Sequence, residues 1–243
     1  MQYDQCGMRS PRLIAIAVSA LLAAICIWAS MGVSRAQSQD DWEESAEGQR
    51  FISRERAIKA ELVRINGNGT DQKLRAELLA MGKTDQGIRM KMFAMPNAQQ
   101  GTLELELEHT DATLTEKLKQ IVASHGWPTI ALVGYDASQA ATLILIHSRD
   151  HDFQRRLLPE LQKLVQEKRI VGLDIATLVD KTLVAEGKPQ RFGTQFAWKG
   201  DGPMVMNPVE DPAHLDQRRE NYLLPPLDLY KRMLVEMYHR KVQ

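Results

Sequence analysis

The strongest constraint on this chain is a run of 21 residues, 13–33 (LIAIAVSALLAAICIWASMGV), with no charge and almost no polar group. A run like this does not sit on the surface of a water-soluble domain, and it is long enough to cross a bilayer once as a helix. Arg9 and Arg12 precede it, and Ser34 and Ala36 put small residues three and one positions before a cut after Ala36. Basic, apolar and small-residue segments in that order make a secretory signal. Kept instead of cleaved, the same run is an N-terminal anchor helix. Both readings put residues 37–243 outside the cytoplasm, periplasmic or anchored to the inner membrane, with membrane contact only through the N-terminal segment. Ile25 stands where a lipid-modified Cys26 would need a small residue before it, and Met8 offers a second start.

The exported part has to fold without thiols. Cys6 and Cys26 both lie in residues 1–36, so the remainder has no disulfide, thiol nucleophile or thiolate metal site. Residues 1–36 also hold three basic and one acidic side chain, which leaves a net charge of −2 on the rest of an overall neutral chain. Such a balance argues against dedicated nucleic-acid binding, which uses a basic surface. With 44% hydrophobic and 26% charged residues, the remainder suits a single domain around one sizeable core.

Residues 37–48 (QSQDDWEESAEG) are polar and acidic and read as a tether. From residue 49 the pattern is mainly α. Ile58, Leu62 and Ile65 recur at helical spacing until the Asn66–Gly69 turn. Thr70 or Asp71 caps a second helix carrying Leu74, Leu78, Leu79 and Met81, which Pro96 ends. Leu103, Leu105 and Leu107 alternate with glutamates, a strand-like pattern built from helix formers; we read helix. Helices follow at about 111–124, 137–146, 152–169 and 173–186. Residues 190–198 (QRFGTQFAW), a Gly200–Gly202 turn and 204–206 predict one β-hairpin. Helices at 211–222 and 227–241 close the chain. The expected fold is therefore a single mainly α domain over 49–243 with one β-hairpin, preceded by the signal or anchor helix.

Three polar positions stand out. His147 ends an apolar run, and in a continuous helix Asp150, His151 and Gln154 would share its face. A histidine beside a carboxylate is suited to acid–base work near neutral pH; a satisfied helix-end histidine, with Asp150 or Asp152 as N-cap of the next helix, is the plainer alternative. His147 and His151, with Asp150, also have metal-ligand spacing, but the HExxH glutamate is absent and Arg149 repels a cation. No metal and no cofactor is expected. Asp180 lies on or beside an apolar stripe and needs a partner, such as a buried His, Lys or Arg. In an ideal strand Gln190 and Thr194 face one side and Gln195 the other, unless Gly193 makes a bulge. Nucleophile-elbow, phosphate-loop and dinucleotide motifs are missing.

The motifs follow a recognisable order. Asp85-Gln86-x-x-Arg89 comes first, then HGWP (His125 to Pro128), then a buried run ending at His147 with Asp150, Phe153 and Gln154. Leu178-x-Asp180-Lys181, GKPQRFGTQ (187–195) and Asp211-Pro212 with Asp216-x-Arg218-Arg219 complete it. Over roughly 72–235 this resembles an uncharacterised bacterial family, domain of unknown function 6624. The resemblance implies a fold and no activity. It groups His147, Gln154, Asp180, Gln190, Thr194, Gln195 and Arg219, and it has Lys181 in place of the family's arginine.

Two functions fit these residues. In the first, a pocket binds, and on one view transforms, a small polar ligand: His147 is the acid–base group and Asp180 orients it or a nearby cation. Gln154, Gln190, Thr194 and Gln195 hold the ligand, and Arg219 anchors an anion. In the second, the chain is a non-enzymatic envelope module that contacts partner proteins, and the same side chains form a hydrogen-bond lattice. Metal-dependent hydrolysis is a distant third.

Overall fold

A computed structural model describes residues 42–94, 101–200 and 202–243. The expected signal or anchor helix, residues 37–41 of the tether and Pro96 lie outside the described residues. No described helix is long and apolar enough to cross a membrane.

The described chain is mainly helical, with nine α-helices and one short hairpin. Trp42 is buried, and α1 (Ala46–Asn66) begins inside the stretch read as a tether. Ser45 caps α1 by accepting from Gly48 N at 3.0 Å. The Asn-Gly-Asn-Gly turn follows with Gly69 at φ +91°, its backbone so close to Gly134 that a Cβ would come within 2.4 Å of Gly134 N. A glycine is therefore required there on two counts. Asp71 then caps α2 (Gln72–Ala94), its Oδ1 accepting from Leu74 N at 2.9 Å. The alternating Leu–Glu stretch is helical and merges into α3 (Gly101–His125).

A short α4 (Ile130–Val133) leads into α5 (Tyr135–His147), which is buried along nearly its whole length. Its Ala140 meets Gly82 of α2, where an added Cβ would come within 2.9 Å of the alanine's own. The helix does not continue past His147. Asp150 N donates to Ser148 Oγ, and Asp150 Oδ1 accepts from Phe153 N at 2.8 Å. These contacts break the chain and restart it as α6 (His151–Gln166). The shared face expected for His147, Asp150, His151 and Gln154 is thus lost, and with it the helical spacing of the two histidines.

α7 (Gly172–Ala185) divides the interior in two. Its Ile175 and Leu178 pack with α2, α3, α5 and α6, while Leu173, Ala176 and Val179 face a second cluster containing Trp42, Phe51, Phe192, Phe196 and Leu234. Two buried clusters flanking one helix replace the single core expected.

The hairpin is shorter than the alternation suggested. β1 (Phe196–Ala197) pairs antiparallel with β2 (Val205–Met206). Residues 191–195 are a loop turning at Gly193 (φ +65°), so the two-faced strand reading of Gln190 to Gln195 does not hold. Gln190 instead forms a single parallel bridge to Val209. The C-terminus covers the outer edge of β2: Met204 N donates to Lys241 O and Gln243 N to Met204 O, both at 2.8 Å. A 3₁₀ turn (Pro212–His214), α8 (Leu215–Asn221) and α9 (Leu227–Tyr238) complete the chain.

Candidate functional site

The seven polar residues singled out in the sequence divide into two groups, both reached from the end of α7. The first group is closed. Asp180, fully buried, accepts from the backbone N–H groups of Arg191 (2.7 Å), Phe192 (2.9 Å) and Thr194 (2.9 Å) and from Thr194 Oγ1 (2.8 Å). Its partner is a curl of backbone amides and not the His, Lys or Arg expected. Burial pushes its carboxyl above the usual carboxylate range, and these four donors only partly offset that.

Gln190 pins the same loop from the other side. Its Nε2 donates to the carbonyls of Gln195 (3.0 Å) and Asn207 (2.8 Å), and its Oε1 accepts from Gln195 N at 2.8 Å. Gln195 Nε2 in turn donates to Thr194 Oγ1. Arg219, also fully buried, donates through Nε to Pro225 O and through Nη1 to Phe192 O and Gly193 O, and it lies 4.7 Å from the Tyr230 ring. Every one of these side chains is spent on backbone or on another member of the group, which is how buried polar atoms are normally satisfied. Only Arg219 Nη2 is left buried without a hydrogen-bond partner.

The second group is different. His147, at the last turn of α5, has its Nδ1 2.9 Å from both carboxylate oxygens of Asp85 on α2. Asp85 is buried, and 7% of the His147 side chain stays exposed. Burial alone would raise the Asp85 carboxyl, but His147, Arg89 and Gln86 together outweigh it and hold the carboxyl below its ordinary value. Burial lowers the imidazole, Asp85 partly restores it, and the net direction is down. At neutral pH the pair is therefore an ionised carboxylate and a neutral ring. Nδ1–H donates to the carboxylate, and Nε2 carries the lone pair. No described residue hydrogen-bonds Nε2.

The pair is extended by charge. Arg89 Nη1 lies 3.6 Å from Asp85 Oδ1, and Arg89 Nη2 donates to Asp111 on α3 at 2.8 Å. Arg89 Nη1 itself is buried with no hydrogen-bond partner. Gln154 sits below the histidine: its Nε2 donates to the carbonyls of Leu145 (2.8 Å) and Ser148 (2.9 Å), and its Oε1 accepts from His151 Nδ1 (3.0 Å). Gln154 therefore closes the end of α5.

So Asp85 orients His147, and Asp180 is occupied elsewhere. Asp85, Arg89 and Asp111 were not among the expected site residues, although Asp85 and Arg89 stand in the first of the ordered motifs. Membership of that motif was the sequence signal for Asp85 and Arg89; Asp111 had none. Among the described residues no group of three or more His, Cys, Asp or Glu could hold a metal ion. A groove of about 310 Å³ opens between α2 and α3 over Met81 and Leu114, but its lining includes neither group.

Residues 72–243 match the family of unknown function DUF6624. The chain belongs to DUF6624. Every residue of both groups falls within the matched part, whereas α1 precedes it. No curated protein and no solved structure matches the chain.

Proposed function

We propose that the Asp85–His147 pair of this DUF6624 chain is a proton-transfer site for a small polar ligand. His147 is the acid–base group and Asp85 its positioning residue. The observation that carries this reading is the contrast at the imidazole: Nδ1 is held by both oxygens of a buried carboxylate, while Nε2 has no hydrogen-bond partner among the described residues. A neutral imidazole held in one tautomer, with its other nitrogen open, is the form in which histidine accepts a proton. Arg89, ion-paired with Asp85, keeps a positive charge beside the pair. No nucleophile motif occurs in the sequence, so a step without a covalent intermediate fits best.

The test is a metabolite screen by ligand-induced thermal shift on the intact chain and on His147→Ala. A compound that stabilises the first and not the second supports the site. A folded His147→Ala protein with the same set of shifts refutes it.

A second reading draws on the closed Asp180–Arg219 group. Five polar side chains spent wholly inside the protein suit a non-enzymatic envelope module that meets protein partners through its surface. Loss of stability without loss of any ligand response, in variants of both groups, would favour that reading. In either case the proposed location is outside the cytoplasm, on the strength of residues 13–33 and Ser34 to Ala36. A C-terminal reporter active only after export tests it.

A further inference from the structure

His147 is the last residue of α5, so the direction of its ring depends on how firmly that helix end is held. The last carbonyls of a helix have no partner within it and carry the negative end of its dipole. Here two side chains from other elements reach them. Gln154 of α6 takes those of Leu145, Ile146 and Ser148. Lys181 of α7 takes those of Ile146 and, at 3.2 Å, Ser148, the residues on either side of His147.

Lys181 is an unusual cap. It is half-buried and has no carboxylate within ion-pairing distance among the described residues. The charged groups that act on it are Asp111 on α3, Arg89 on α2 and Arg149 at the α5–α6 junction. Two of these three are cations, and Arg149 and Arg89 are themselves paired with Glu108 and Asp111. Asp111 is the one charged group that favours the ammonium, and it is already bonded to Arg89; the helix-end carbonyls are the ammonium's direct partners among the described residues, and burial gives the amine a reason to lose its proton that an exposed lysine lacks.

We propose that Lys181 is a positioning residue for His147: in its charged form it ties off the end of α5 and so holds the imidazole against Asp85, and on losing its proton it keeps N–H donors but loses the charge that draws them to the carbonyls, so the hold loosens. This deepens the proton-transfer reading and rests on it. Burial brings Lys181 down to about 8, whereas His147 is neutral across the whole range above its ordinary value of about 6.5. The site would then have an upper pH limit set by a residue that never touches the ligand. Gln154, which does not titrate, shares the carbonyls, so the loss is a loosening and not a collapse.

The experiment follows the His147 ring nitrogens of the full chain by ¹⁵N NMR, with His147→Gln providing the assignment. The Nδ1-protonated signature of His147 should hold through pH 7 and fade as pH rises past about 8. Folded Lys181→Met should show the faded state already at pH 7. Lys181→Arg, which keeps its charge at every accessible pH, should hold the signature to pH values where the parent has lost it. A role confined to stability would lower the melting temperature of Lys181→Met and leave the ring signature alone, and that result overturns the proposal. So does a parent signature that is constant up to pH 10. If Lys181→Met does not fold, the parent titration and Lys181→Arg decide the matter by themselves. Failure of the underlying reading looks different: the parent would lack the Nδ1 signature at every pH, or Asp85→Asn would leave it unchanged.

Discussion

The sharpest stability test is Thr194→Val beside Asp180→Ala. Asp180 accepts four hydrogen bonds, three from backbone amides and one from Thr194 Oγ1, all within 2.7–2.9 Å. Truncation to alanine leaves the N–H groups of Phe192 and Thr194 buried without an acceptor, and that of the exposed Arg191 only partly so. Each buried orphan costs about 1–3 kcal/mol. The removed carboxyl was itself costly to bury, as its raised pKa records. The expected net loss is therefore about 3–5 kcal/mol, a large share of a typical stability of about 5–15 kcal/mol. Thr194→Val is the gentler probe. It removes the 2.8 Å bond to Asp180 and the 3.1 Å bond from Gln195 Nε2 without changing shape, and should cost about 1–2 kcal/mol. In the double variant the Thr194 substitution should add less than it costs alone, since the bond to Asp180 is already gone and only the one from Gln195 Nε2 remains to be lost. Urea unfolding followed by circular dichroism measures all three. Losses below about 1 kcal/mol for Asp180→Ala, or full additivity in the double variant, would refute the view that this carboxylate holds the 191–195 loop.

Other outcomes are equally specific. Asp174, buried in the first turn of α7 with Oδ2 unpartnered, is pushed up to about 7 by burial. The acid is thus easier to protonate folded than unfolded, so its contribution is fully present below about 4 and is lost as pH rises through about 7. Asp174→Asn should gain about 2 kcal/mol at pH 8 and little at pH 4, read from urea midpoints at the two pH values. Asp85→Asn removes the charge that raises His147 against burial, so the His147 titration should move still lower, seen by NMR; an upward shift would contradict the pairing. Gly69→Ala forces a side chain at φ +91° into Gly134 and should cost about 2 kcal/mol or more, a clear drop in melting temperature, whereas Gly87→Ala, where nothing lies within 4 Å, should cost nothing.

The helices were legible because their signals are local. Asp71 and Asp150 sit one turn from the amides they cap, and a glycine at a helix end needs no distant partner to act. The hairpin was over-read because alternation in residues 190–198 reports which side chains are apolar, not which backbone amides pair. The Asp180 carboxyl draws three of those amides away from any strand. Its position on a buried face was apparent in the helical wheel, and its need for a partner followed. That the partner is main chain was not, because every residue offers an N–H and the letters do not mark which ones curl together.

The site shows the same division more strongly. Residues 1–36 hold the long apolar run and both cysteines, and the helical make-up of the rest is written in its spacing. The break at Ser148, which sends His147 and His151 to different helices, turns on a serine hydroxyl and an aspartate that suit a cap as well as a helix face. Asp85 meets His147 across 62 positions of sequence. That meeting depends on how α2 rotates and slides against α5, and packing across the buried interface sets both. Periodicity tells a helix which face to bury; only the filled interior decides which residue of another helix that face will meet.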